Sequence, residues 1–345
     1  MSSRRVLRRS TVLCSAALVA VLVPACQRGP SAKVDQASLA AFSPLAAALE
    51  SPANPLTDAK VNLGRTLYYD TRLSLNNNES CNTCHNLAAY GVDGRRFSVG
   101  TKGQLGGRNS PTVYNAAGQI AQFWDGRAAT VEEQAKGPVL NPVEMGMPSA
   151  AAVIARLKAV PAYRAAFRAA FPDARDPMTY DNVGLAIGAF ERKLVTPGAW
   201  DRFLDGDTTA LTPEERIGFN TFVATGCQAC HNGMLVGGGM YQKLGAVEPW
   251  PDKSDIGRAA ITHEASDTLV FKVPMLRNVA RTAPYFHNGS VATLPQAVAL
   301  MAKHQLGKTL SPEDVNRIVA YLNALTGEVP ASYIAAPAAG QTAGS

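Results

Sequence analysis

Two pentapeptides of one form, Cys81-Asn-Thr-Cys84-His85 and Cys227-Gln-Ala-Cys230-His231, constrain this chain more than anything else in it. Cys-x-x-Cys-His is the attachment pattern of c-type heme: two thiols join the vinyl groups, and the adjacent histidine becomes the proximal iron ligand. Two readings compete with it. A zinc site uses four cysteines but has no need of a histidine directly after each pair. A redox dithiol needs one pair in a βαβ setting, which the sequence lacks. The repeat therefore predicts two covalently bound hemes c on Cys81, Cys84, Cys227 and Cys230, with His85 and His231 on the irons. Aromatic residues make up only 7% of the chain, so a bulky buried cofactor also suits the composition.

The chain has six cysteines, and the other two lie near its start. Arg4, Arg5, Arg8 and Arg9 precede an apolar run, Val12 to Val23, too short for a membrane span and right for the core of an export signal. Cys14 lies inside that run. It ends at Val23-Pro24-Ala25-Cys26, which has the form of a bacterial lipobox, although Pro24 keeps plain cleavage by signal peptidase open. Residues 1–25 are read as the signal and 26–43 as a linker. The mature protein is expected in the periplasm, membrane-anchored through a lipidated Cys26. No cysteine is left for a disulfide, even in an oxidising compartment. The formal net charge is +6, but loss of the signal removes four arginines and no acid. The mature chain is nearly neutral, which excludes nucleic acid as a partner.

A length of 345 residues suits two domains, and a hydrophobic fraction of 46% excludes a disordered chain. Each motif follows a helical segment. Asp58 to Tyr69 places Leu63, Leu67 and Tyr68 at helical spacing. Thr212-Pro213-Glu214-Glu215 is a capping-box start, followed by Phe219 and Phe222, which can pack on the second heme. Pro312 to Leu325 carries one apolar stripe of Val315, Ile318, Val319, Leu322 and Leu325, expected to cross the helix before the second motif. Little reads as strand. The predicted fold is all-α, with two cytochrome c-like domains at 44–206 and 207–330, each carrying one covalent heme. A small-residue tail at 331–345 is expected to be disordered.

Function turns on each iron's other face. A closed heme shuttles electrons, and an open one binds peroxide or oxygen. After the second motif the chain offers Met234, Met240, Met275 and Met301 as closing ligands, and spacing does not choose among them. His304, one turn from Met301, competes with it.

From about residue 40 to residue 330 the chain resembles the bacterial di-heme cytochrome c peroxidases. The likeness is carried by Leu63-Gly64, by the first motif with Asn86-Leu87, and by Gly107-Arg108-Asn109-Ser110-Pro111-Thr112. It continues through Gln122-Phe123-Trp124-Asp125-Gly126-Arg127-Ala128 and Asn141-Pro142-Val143-Glu144-Met145. Later segments are Phe271-Lys272-Val273-Pro274-Met275-Leu276-Arg277-Asn278, Thr282-Ala283-Pro284-Tyr285-Phe286-His287 and Ala297-Val298-Ala299-Leu300-Met301-Ala302.

The resemblance implies that Met301 is the axial partner of His231, its soft sulfur favouring ferrous iron. Tyrosine there would have pointed to the methylamine-utilisation relative, which oxidises a protein. Glu144 matches the distal carboxylate that takes and returns a proton while the O–O bond breaks. Gln134 matches the amide that orients peroxide, and Trp124 a tryptophan that helps electrons pass between the hemes. The resemblance also implies a calcium ion between the domains, on the Asn109 side chain and the backbone carbonyls of Thr282 and Pro284, an oxygen-only set that suits it. His263 is expected at the surface, and His287 near a heme or the domain interface.

One departure stands out. Many relatives place a histidine ligand in the loop before Arg-Asn-Ser-Pro-Thr, and Thr101 occupies that position here. Residues 95–110 contain no His, Met or Cys, and the neighbouring Lys102 is a poor substitute. The first heme is therefore expected to be open at rest. The function implied is reduction of hydrogen peroxide to water. A small soluble cytochrome c or cupredoxin gives electrons at the C-terminal His/Met heme, for use at the N-terminal one. Homodimers are common in the family. An oxidase of a protein substrate and a non-enzymatic di-heme electron carrier are the alternatives.

Overall fold

Short polar side chains at the helix starts, and glycines where helices cross, account for most of the architecture. The structure is a computed structural model that describes residues 1–2 and 31–337; most of the export signal, with Cys14, and the lipobox cysteine Cys26 lie outside the described residues. In chain order the longer helices are α1 (Asp58–Tyr68), α2 (Val131–Leu140), α3 (Ala150–Lys158), α4 (Pro161–Ala170), α5 (Tyr180–Glu191), α6 (Ala199–Leu204), α7 (Pro213–Thr225), α8 (Leu294–Leu306) and α9 (Pro312–Ala324). The hydroxyls of Thr57, Thr130 and Thr293 accept N–H bonds at the heads of α1, α2 and α8. Thr212 and Glu215 form the reciprocal capping box expected at the head of α7. Strand is confined to an antiparallel pair, β1 (Tyr241–Lys243) and β2 (Val270–Lys272), and a few isolated bridges. No described helix is long and apolar enough to cross a membrane.

Two apolar clusters divide the fold. The first gathers α1 to α5 around Leu67, Tyr68, Phe167, Ile187 and Phe190. The second gathers α6, α7 and α9 around Trp200, Phe219, Phe222, Tyr321 and Leu322. In each, the helix before the heme motif crosses a later helix at a glycine. A Cβ on Gly64 would lie 1.8 Å from the Ala186 carbonyl oxygen, and one on Gly218 would lie 2.1 Å from that of Arg317. Only glycine permits backbones that close.

The borders differ from those read in the sequence. α6 packs its Trp200 and Phe203 into the second cluster, so the cores divide ahead of residue 199 rather than at 207. Val34 and Phe42, read as linker, are buried in that cluster, with Phe42 edge-on to Trp200 at 5.5 Å. At the other end Tyr333 stacks on Phe190 at 5.1 Å, and Tyr69 donates to the Ile334 carbonyl. The tail expected to be disordered thus packs on the first cluster as far as it is described. Asp201 and Arg277, both buried, make a two-pronged ion pair at 2.8 Å in the second half. The described residues from Ala32 onward form one compact unit.

The two halves repeat one another beyond the heme motifs. Asn115 and Asn278 both take positive φ, 59° and 62°, as do Phe123 and Phe286, 64° and 69°. Isolated bridges join Gln122 to Ala128 and Tyr285 to Val291, and Thr130 and Thr293 each cap the next helix. Asn115 and Asn278 donate to the same Thr196 hydroxyl, at 2.9 and 2.8 Å. A single sequence spacing relates all these pairs, and it also relates Pro111 to Pro274, Trp124 to His287, and Pro138 on α2 to Met301 on α8.

Candidate active site

Both heme motifs close the same way. The His85 N–H donates to the Cys81 carbonyl at 2.9 Å and the His231 N–H to Cys227 at 3.0 Å. Tyr68 on α1 steadies the first turn, its hydroxyl 2.8 Å from the His85 carbonyl. His85 Nδ1 lies 2.9 Å from the Pro111 carbonyl, so this nitrogen carries the proton and Nε2 keeps its lone pair. His231 Nδ1 is buried without a hydrogen bond of good geometry, beside the backbone of Val236 and Pro274. Burial holds both imidazoles below the usual histidine value, His231 at about 4.

The four cysteines of the motifs are not in disulfides. Burial raises Cys81 well above the ordinary thiol range, and Cys84 and Cys227 to about 11. Thiols held protonated are poor partners for disulfide exchange. Among the described residues, no three His, Cys, Asp or Glu side chains gather closely enough to hold a metal ion. The dithiol and zinc readings find no geometry here.

Cys227, Cys230 and His231 open onto a cavity with about 1730 Å³ of empty space including its mouth. Phe222, Leu276, Leu294 and Leu322 give it apolar walls. An imidazole, two thiols and an apolar space are the fittings a covalent heme needs. Of the four candidate methionines, Met275 and Met301 line this cavity, and Met234 and Met240 do not. His304 does not line this cavity; its Nδ1 lies 3.0 Å from the Glu248 carbonyl, and its ring is edge-on to Trp250.

Trp124 lines the same cavity, as do Asn109, Thr282 and Pro284. The Trp124 indole donates to the Asn109 carbonyl at 2.9 Å, and the Asn109 N–H donates to the His287 carbonyl at 2.7 Å. Asn109 thus straps Trp124 to His287, the two rings that the internal repeat makes equivalent. His287 is buried and stacks on Phe271 at 4.4 Å, whereas His263 is exposed.

Glu144 lines a second pocket with Phe123, Arg127, Pro138 and Asn141, and Phe123 lines both spaces. Its carboxylate acts on Cys84, pushing that thiol further up. Burial raises Glu144 above the usual carboxylate value, while Arg127 and a hydrogen bond from Asn141 oppose the rise. Gln134 lies one turn before Pro138 on α2, but its side chain is not part of the pocket lining. Arg127, Asn141 and Pro138 were not singled out from the sequence as site residues. The internal repeat, which aligns Pro138 with Met301, is the signal that would have found the proline.

The turn carrying Glu144 is clamped from outside. The Thr101 N–H donates to the Glu144 carbonyl at 2.8 Å, and Gln104 Nε2 donates to that of Pro142 at 2.6 Å. The Leu75 N–H holds the Met145 carbonyl at 2.8 Å. Gly100 passes so near that a Cβ on it would lie 2.1 Å from the Val143 oxygen. Thr101 is 3% exposed, and its hydroxyl donates to Asn78 at 2.6 Å.

Comparison with known proteins agrees with this geometry. The profile of the family described as di-haem cytochrome c peroxidase matches residues 58–209. The chain is 47% identical over 316 residues to cytochrome c551 peroxidase of Pseudomonas aeruginosa, covering 89% of this chain and 90% of that one. It is 37% identical over 246 residues to methylamine utilization protein MauG of Methylorubrum extorquens, covering 70% and 68%. Among solved structures, a MauG-like protein associated with microbial copper homeostasis superposes with a TM-score of 0.72 at 28% identity, over 87% of this chain and 96% of that one. With relatives this similar over nearly its whole length, the chain belongs to the di-haem cytochrome c peroxidase family of enzymes.

Proposed function

We propose that this enzyme reduces hydrogen peroxide to water, H2O2 + 2 e⁻ + 2 H⁺ → 2 H2O. Its donor is a small soluble cytochrome c or cupredoxin, entering at the His231–Met301 site, and peroxide is reduced at the His85 site. One observation carries the reading: the repeat pairs Met301, a sulfur donor, with Pro138, which has no side-chain ligand to offer. On this reading the His231 site is closed by sulfur and the His85 site stays open, with Glu144 as its acid.

Cys81, Cys84 and His85 would hold one heme c, and Cys227, Cys230, His231 and Met301 the other. Bound there, heme supplies the iron redox chemistry that cleaves the O–O bond. The chain supplies the proton handling. Glu144 accepts a proton from one peroxide oxygen and returns it to the other, so that the leaving group departs as water. Its pKa, raised by burial, makes the carboxylate a stronger base and so a readier acceptor of the first proton. Gln134 orients peroxide, and Trp124 with the Asn109 strap couples the two sites. The Pro111 carbonyl keeps His85 in the tautomer that leaves Nε2 for iron. Asn109, Thr282 and Pro284 hold calcium, with water completing an all-oxygen shell. Export to the periplasm, with a lipid anchor at Cys26, follows from the N-terminal sequence.

The second reading is a MauG-like oxidation of a protein side chain, favoured by the 37% identity to that relative. Steady-state assay with peroxide and reduced cytochrome c separates the two. Sustained, stoichiometric oxidation of two cytochromes per peroxide is expected, and negligible turnover would favour the oxidase.

A further inference from the structure

Lys272 is a charged group in this cavity that the reaction so far leaves idle. It ends β2, is 6% exposed, and lines the cavity at Cys227 and His231 beside Trp124, whose carbonyl accepts its backbone N–H at 2.8 Å. No carboxylate among the described residues lies within ion-pair distance of its ammonium. Asp125 attracts it through space, but that carboxylate is already shared by Arg108 and Arg127. Burial accordingly pushes Lys272 down to about 7. A buried lysine without a partner is costly, and proteins keep such groups where an anion arrives to pair with them.

The anion has to come from whatever fills the cavity. Cys227, Cys230 and His231 open onto the same space, and porphyrins of the heme type carry carboxylate side chains. We propose that Lys272 is the counter-ion for a carboxylate of the heme held at Cys227, Cys230 and His231, a role that rests on the heme reading of that cavity.

The placement is one-sided. The repeat spacing that pairs Met301 with Pro138 pairs Lys272 with Asn109, a neutral residue. A cation near one iron favours its less positive, reduced form, so Lys272 acts in the same direction as the Met301 sulfur. Ligand and charge together would hold the His231 site above the His85 site in reduction potential.

The test compares the holoprotein with Lys272→Met, similar in length and uncharged, and Lys272→Arg, which keeps the charge. The readout is the reduction potential of each heme by spectroelectrochemical titration, with heme content measured per chain. Lys272→Met should shift the sulfur-ligated heme to lower potential, and Lys272→Arg should stay near the wild type. Loss of that heme from Lys272→Met alone would support the same role. A wild-type potential in Lys272→Met would overturn it, as would an equal fall in Lys272→Arg, which would point to packing. Wild-type protein carrying no second heme would defeat the heme reading itself, not this step.

Discussion

Pro138 and Met301 stand at one position in two copies of the same substructure, each two turns into the helix that its capping threonine, Thr130 or Thr293, begins. One position therefore carries a sulfur donor in one copy and no side-chain ligand in the other. The fold itself is nearly indifferent to the choice. Proline in the last turn of α2 forgoes a hydrogen bond that the start of the helix does not depend on.

This pair can be exchanged experimentally. Pro138→Met should place a thioether over the first site, convert its heme from high to low spin, and abolish most peroxide turnover. Met301→Leu should lower the potential of the second heme and let added cyanide bind there. Optical spectra of the two variants, oxidised and half-reduced, read both effects. A Pro138→Met enzyme with its high-spin signal and turnover intact would show that the repeat does not align the two pockets.

Glu144 gives a prediction in pH. Its carboxyl is raised above 4.5 by burial, and it must be ionised to take the first proton from peroxide. The rate should therefore be full above the raised value and fall as pH drops through it. Arg127 pulls in the opposite direction, so Arg127→Ala should move this limb to higher pH. Glu144→Gln should lose on the order of 10²–10⁴ in turnover, the usual weight of a general acid–base, and lose the limb as well. A kcat–pH profile for the three proteins checks both. An unchanged profile in Glu144→Gln would remove the carboxylate from the reaction.

The motif residues and the helices around them were legible because their signals are local. Thr212 with Glu215 announces α7, and Cys-x-x-Cys-His announces a heme wherever it stands. Gly64 and Gly218 were not readable as crossing points, since each close approach depends on a carbonyl far along the chain, on Ala186 and Arg317 respectively. Phe42 and Tyr333 misled for the same reason. Each sits in a stretch of small or polar residues, and only tertiary packing on Trp200 or Phe190 shows it to be core. Choosing among four methionines needed the cavity, which leaves Met275 and Met301. The role of Lys272 needed three dimensions as well, because an unpaired charge can be recognised only when every candidate partner has been placed.

Thr101 supplies the last prediction. The family resemblance leads to the expectation of a histidine ligand at this loop position, where this chain has threonine. Here that residue is part of the clamp on Glu144, its N–H on the Glu144 carbonyl and its hydroxyl on Asn78. Asn76 and Asn78 both donate to its own carbonyl, at 2.8 and 3.1 Å, so the loop is tied at every polar atom Thr101 has. A loop bonded in this way has no ligand to release and little freedom to leave. Electron paramagnetic resonance of the fully oxidised protein should thus give one high-spin and one low-spin heme. Peroxide turnover should begin without a lag, and preincubation with reductant should not raise it. Two low-spin signals, or a rate that needs prior reduction, would mean that another side chain reaches the first iron and that the clamp opens.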